Sequence, residues 1–147
     1  AVRAVWPDDK PISMRISAVD WVEGGNEVED ALEVAGLLKE AGLDILDVST
    51  GNVSHVRRPA MPGLFQTPFS ERIRSEIGIP TMTVGNISTP EQCNDIIAEG
   101  RADLCCLAKG FLFDPYFVRH AARTLGYDGL AWPKQYPAAA VFNPEGS

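Results

Sequence analysis

The chain has 147 residues, with 13 Lys and Arg against 20 Asp and Glu, for a formal net charge of −7. That length fits one domain and argues against two, and 45% hydrophobic with 22% charged residues lies outside the disordered range. A pI near 4.7 offers no basic face for nucleic acid, and no apolar run approaches the roughly 20 residues that span a bilayer.

The opening AVRAVWPDDK, without an initiator Met or a charged-then-apolar leader, reads as a helix tail running into a Pro-Asp-Asp turn. Residues 12–18 (ISMRISA) have strand character, with Met14 and Ile16 on one parity and Arg15 and Ser17 on the other. Gly24 and Gly25 make a turn, and Asn26 with Glu29 resembles a capping box. Val28, Leu32, Ala35, Leu38 and Ala41 then recur at helical spacing up to Gly42. Residues 44–51 (DILDVSTG) form a short apolar strand, and 52–67, with His55, Arg57 and Arg58, read as a long polar loop.

A helix is predicted over 68–77, closed by Gly78, and a strand over 79–84. Gly85 and Asn86 follow it, and Thr89-Pro90-Glu91 starts a helix that ends at Gly100. Residues 102–107 (ADLCCL) give a fourth strand, Ala108-Lys109-Gly110 opens a short helical piece, and Asp114-Pro115 starts a last helix reaching about Leu125. The Pro-rich tail from Tyr127 is expected to be irregular.

Four strand–helix units in succession, with a faint echo between 40–44 (EAGLD) and 99–103 (EGRAD), predict a parallel sheet covered by helices. Two architectures compete, an open doubly wound sheet and part of a (β/α)₈ barrel. The closely spaced glycines of a dinucleotide fingerprint are missing after the first strand, which lowers the first.

In either architecture ligands gather at the C-terminal ends of the strands. The candidates there are Arg15 and the turn after it, residues 49–52, Gly85-Asn86, and Ala108-Lys109-Gly110. The last two pairings resemble a barrel phosphate site, in which backbone N–H groups and a lysine receive an anion. Taken singly, each is also ordinary turn chemistry. Arg15 within a strand is either surface-pointing or aimed at a ligand, where its planar fork suits the electron-rich pyrimidine edge of a flavin. His55 could contact a substrate or simply be exposed, and His120 beside Arg119 reads as a solvated helix face. Adjacent Cys105 and Cys106 point to opposite faces and read as core packing. With no Cys-x-x-Cys, metal binding is not expected. Three cysteines make no disulfide framework, and a reducing cytoplasm is expected.

The succession MRISAVDWVEGG, AGLDILDVSTG, PGLFQTPFSERIRSEIGIPTMTVGNI and GRADLCCLAKGFLFDPYFVRHAA resembles the Old Yellow Enzyme family. Within it the chain is similar to bacterial NADH:flavin oxidoreductases of the thermophilic-like branch. It is also similar to the C-terminal half of monooxygenase/reductase fusions acting on aromatic acyl-CoA thioesters. The resemblance covers residues 2–137 and implies the C-terminal half of a (β/α)₈ TIM barrel, its fifth to eighth strands, over 1–137, with an irregular tail over 138–147. It implies FMN as cofactor and NADH or NADPH as electron donor, with an activated alkene or aromatic acyl thioester as acceptor. It also implies that Arg15 contacts the flavin N1/O2 edge, and that Gly85, Asn86, Ala108, Lys109 and Gly110 hold the FMN phosphate. Ala108-Lys109 stands where the family usually has Gly-Arg, which keeps the charge but gives up the bidentate fork. Gln135-Tyr136 is followed by Pro137 and Ala138, so the arginine that relatives extend into a neighbouring subunit is not evident.

The family's substrate-binding His pair and proton-donating Tyr belong to the first half of the barrel. The chain alone is therefore expected to lack turnover. Against this stand two other readings. One is a non-catalytic half-barrel module that self-associates or pairs with a partner through an apolar inner face. The other is an open-sheet binding domain unrelated to flavin enzymes.

Overall fold

The computed structural model describes residues 1–51, 53, 61 and 63–140. Four strands, β1 (Ser13–Ser17), β2 (Ile45–Ser49), β3 (Thr81–Val84) and β4 (Leu104–Cys106), form one parallel sheet in the order β1-β2-β3-β4. Helices α1 (Val28–Glu40), α2 (Thr67–Ile77) and α3 (Pro90–Ala98) connect them, while α4 (Lys109–Phe113) and α5 (Phe117–Thr124) follow β4. Pro137–Ala140 add a 3₁₀ turn within the stretch expected to be irregular.

Each strand pairs with its neighbour in sequence, so no switch point divides the described sheet. A doubly wound sheet reverses its strand order and carries helices on both faces. Here the helices share one face. Ile16, Leu46 and Val48 point toward Ala31 and Ala35 of α1 and Ile73 of α2. Farther along, Cys105 of β4 joins a second cluster with Cys93 and Ile96 of α3. Leu46, Val48, Ile73 and Ile96 are fully buried, and burial of this kind contributes about 1.5–3 kcal/mol per side chain.

The helices end and begin where local chemistry allows. Gly78 closes α2 at φ 68°, a left-handed conformation that glycine adopts without a Cβ clash. At α3 the Thr89 hydroxyl accepts from the Gln92 N–H at 3.3 Å, while Gln92 Oε1 accepts from the Ser88 N–H at 2.8 Å. The box predicted at Asn26 and Glu29 lies one residue later. Asp30 Oδ2 accepts from the Glu27 N–H at 2.8 Å, because the Asn26 N–H is already donated to Asp20.

Among the described residues, no helix lies on the opposite sheet face. It carries Arg15 from β1, Asp47 from β2, Met82 and Val84 from β3, and Leu104 and Cys106 from β4, in lateral register. Leu104 is 52% exposed there. The inner face expected to be apolar thus also holds an ion pair, between Arg15 and Asp47. In β3 the usual allocation is reversed. Thr81 and Thr83 turn toward α2, where the Thr83 and Thr67 hydroxyls lie 3.3 Å apart, and the apolar Met82 and Val84 face away.

Candidate functional site

The four strands end level. Ser17 is the register partner of Ser49, and Val84 that of Cys106, so the segments that follow leave the same edge of the sheet. Parallel strands lie about 4.8 Å apart, which puts the turns after β3 and β4 side by side. The first is Gly85-Asn86, and the second runs from Leu107 through Ala108 into α4.

Gly85 adopts φ 108° and Asn86 φ 53°. Glycine is required at the first for a second reason. A Cβ there would come within 2.2 Å of Gln66 Nε2. Gln66 is itself 6% exposed and held at both ends of its amide. Thr50 Oγ1 donates to Gln66 Oε1 at 3.0 Å, and Gln66 Nε2 donates to the Val84 carbonyl at 3.0 Å. One buried side chain therefore joins the ends of β2 and β3 and lies against the Gly85 turn. Sequence reading passed over Gln66. Nothing in its immediate neighbours marks it, since its partners are 16 and 18 residues away.

Ala108 caps α4, and Lys109 is its first residue, exposed at the rim. The helix is five residues long, so the lysine charge is the stronger attraction there for an anion. Gly110 is half-buried against the Leu107 side chain, where an added Cβ would come within 3.1 Å. The turns thus set two glycines, each backed by a protein side chain, beside one exposed cation, Lys109, whose charge suits a phosphate group.

Arg15 stands apart from these turns, two and three strands away, in the middle of β1. Its Nε donates to Asp47 Oδ2 at 2.8 Å, and that carboxylate holds the guanidinium firmly in its charged form. The arginine side chain is 59% exposed on the open face, and that of Asp47 is 12% exposed. Of the two readings of Arg15, the structure shows the exposed strand position, where its partner is Asp47.

Of the other candidates, Asn52, His55, Arg57 and Arg58 lie outside the described residues. His120 is exposed on α5, with Nδ1 2.6 Å from Asp114 Oδ2, as a solvated helix face would have it. Neighbouring Arg119 stacks over Trp132 at 4.0 Å and donates to the Leu130 and Ala131 carbonyls. Cys105 and Cys106 point to opposite faces. Burial, and then the neighbouring Cys93, push the Cys105 thiol up to about 12. Cys106 lies 3.9 Å from the Met82 sulfur. No group of three or more His, Cys, Asp or Glu able to hold a metal occurs among the described residues, and all three cysteines are free.

A family of NADH:flavin oxidoreductases and NADH oxidases matches residues 1–127. The chain belongs to the NADH:flavin oxidoreductase / NADH oxidase family. It is 42% identical over 139 residues to an NADPH dehydrogenase of Listeria innocua, covering 95% of this chain and 40% of that protein. An NADPH dehydrogenase of Halalkalibacterium halodurans is 40% identical over 138 residues, covering 94% of this chain and 40% of the relative. The chain therefore spans about two fifths of the curated relatives it matches. Among solved structures, histamine dehydrogenase from Rhizobium sp. 4-9 superposes with a TM-score of 0.63 over 81% of this chain and 17% of that one. At 22% identity this similarity speaks for the fold alone. The family resemblance of the sequence motifs is thereby established. FMN with a nicotinamide dinucleotide is the cofactor pair that the names of the family and its relatives carry.

No helix among the described residues is long and apolar enough to cross a membrane.

Proposed function

We propose that this chain is the FMN-binding part of an NAD(P)H-dependent flavin oxidoreductase and forms the last four βα units of a (β/α)₈ barrel. Residues 1–137 would make up that half-barrel and 138–147 a tail. The observation that carries this reading is the pair of turns, Gly85-Asn86 and Ala108-Lys109-Gly110, on adjacent strands that end level in a chain of this family. The backbone of the first turn and the Lys109 ammonium would take the FMN phosphate. Arg15 would face the pyrimidine edge of the flavin from the open sheet face, its permanent charge favouring the anionic reduced form.

FMN when bound supplies the hydride chemistry, accepting from NAD(P)H and passing to an activated alkene or aromatic acyl thioester. The protein's part is to bind, orient and exclude water, and half of a barrel excludes water from one side only. The chain by itself is therefore expected to lack turnover. The singly wound sheet and its uncovered face support the half-barrel, and three free cysteines support a reducing, cytoplasmic compartment.

Titration with FMN, followed by flavin fluorescence, tests the reading. Binding is expected, and addition of the N-terminal half of a relative's barrel should restore NAD(P)H-dependent ene-reduction. Lys109→Ala should weaken FMN about tenfold, roughly 1.4 kcal/mol, and leave riboflavin unchanged, because only FMN carries the phosphate. Equal loss for both flavins would remove Lys109 from the phosphate site. Turnover by the chain alone would overturn the expectation of inactivity.

A second reading has its own observation. Leu104 is 52% exposed, and Leu112 and Phe113 are 84% and 94% exposed. A module that covers such apolar surface by self-association, with or without flavin, would also account for them.

A further inference from the structure

Arg15 and Asp47 are direct register partners on β1 and β2, so the sheet alone brings them together. Arg15 Nε donates to Asp47 Oδ2 at 2.8 Å, and Nη2 lies 2.7 Å from the same oxygen. A guanidinium has five N–H donors in a fixed plane, and this contact occupies the edge formed by Nε and Nη2. The end-on edge, formed by Nη1 and the outer hydrogen of Nη2, has no partner among the described residues. The acid is the buried anchor, 8% exposed, and the arginine is the exposed arm. The other carboxylate oxygen, Asp47 Oδ1, is buried without a hydrogen-bond partner among the described residues. Asp103, by contrast, uses both of its oxygens. That residue takes Arg74 Nε and Nη2 on separate oxygens at 3.0 Å and a backbone N–H as well.

We propose that Asp47 is a positioning residue that fixes which edge of Arg15 is presented to a ligand on the open sheet face. By occupying the side-on edge it leaves the end-on fork for two parallel hydrogen bonds to an electron-rich ring edge, such as the N1/O2 edge of a flavin. The inference rests on the reading that the flavin ring lies on this face. It adds that the arginine's orientation is set by β2 before any ligand arrives. Preorganisation of this kind spares the ordering of a long side chain on binding.

Two measurements on the full chain test it. In ¹⁵N-labelled protein, the Arg15 Nε–H resonance, identified by its loss in Arg15→Lys, should be protected from solvent exchange. Asp47→Ala should abolish that protection. Asp47→Asn, which keeps one carbonyl acceptor and the same shape, should retain part of it. In titrations, Asp47→Ala should weaken FMN and riboflavin by the same factor, about tenfold, with Asp47→Asn intermediate. Should Asp47→Ala fail to fold by circular dichroism, the isosteric Asn variant carries both measurements. Unchanged protection in a folded variant, or unchanged affinity for both flavins, overturns the proposal. If the unsubstituted chain binds neither flavin, the flavin reading falls, and the resonance still decides whether Asp47 holds Arg15.

Discussion

At the scale of single residues, Gly85 and Gln66 act as one unit. The glycine's φ of 108° is strained for any residue with a Cβ, and that Cβ would meet the Gln66 amide at 2.2 Å. Gly85→Ala should therefore cost about 2–4 kcal/mol, combining backbone strain with displacement of Gln66 from its two hydrogen bonds. Gln66→Ala removes the obstacle, so the double variant should be more stable than the sum of the single effects implies. Denaturant unfolding of the three variants measures this. Strict additivity, or a Gly85→Ala protein as stable as its parent, would show that the amide does not confine the turn. The glycine was visible in sequence as a strand-end punctuation mark. Its partner was not, because a buried glutamine looks like any other until the strand ends that it joins are in place.

At the scale of elements, polar side chains hold the N-terminal side of the sheet together. Arg74 on α2 forms a two-point pair with Asp103, which also accepts from the Thr81 N–H at 2.9 Å, joining α2, β3 and the approach to β4. The Arg74 guanidinium, aided by that N–H, holds the Asp103 carboxyl below its ordinary 3.8. A carboxyl with a depressed folded pKa contributes stability above its unfolded value and loses it as pH falls through the folded value. Asp103 is 33% exposed, so solvent screening limits its worth to about 1 kcal/mol, or roughly 3 °C in Tm. Asp103→Asn should melt about that much lower at pH 7, and the difference should vanish at pH values well under 3.8. A gap that persists undiminished at pH 2 would mean that the charge contributes nothing.

For the whole molecule, the decisive feature is a sheet that, among the described residues, is covered by helices on one face only. Met82, Val84 and Leu104 line the other face around the Arg15–Asp47 pair, and two strand edges, those of β1 and β4, are unpaired within the described sheet. Such edges and apolar patches favour association. Light scattering should therefore find this chain above its monomer mass of 15.9 kDa at high concentration. Adding the N-terminal half of a relative's barrel should return it to a one-to-one complex. A monodisperse monomer over the same range would count against both the half-barrel and the self-associating module.

The four strand–helix units were legible in the residues because each is written locally. Apolar spacing sets the helix faces, Thr89-Pro90 and Gly78 set ends, and unalternating strands announce a sheet buried by helices. The lateral order of the strands was not legible, nor was the single winding that separates this sheet from a doubly wound one, since both follow from pairings across 20 or more residues. Separation along the chain likewise hid Asp47 beside Arg15 and Gln66 beneath Gly85. Arg15 and Asp47, 32 positions apart, meet only when β1 and β2 align, and Gln66 meets Val84, 18 positions on, only when β3 is in place. The candidate turns could be found from glycine, asparagine and lysine alone, but the side chains that hold them were placed by the register of the sheet.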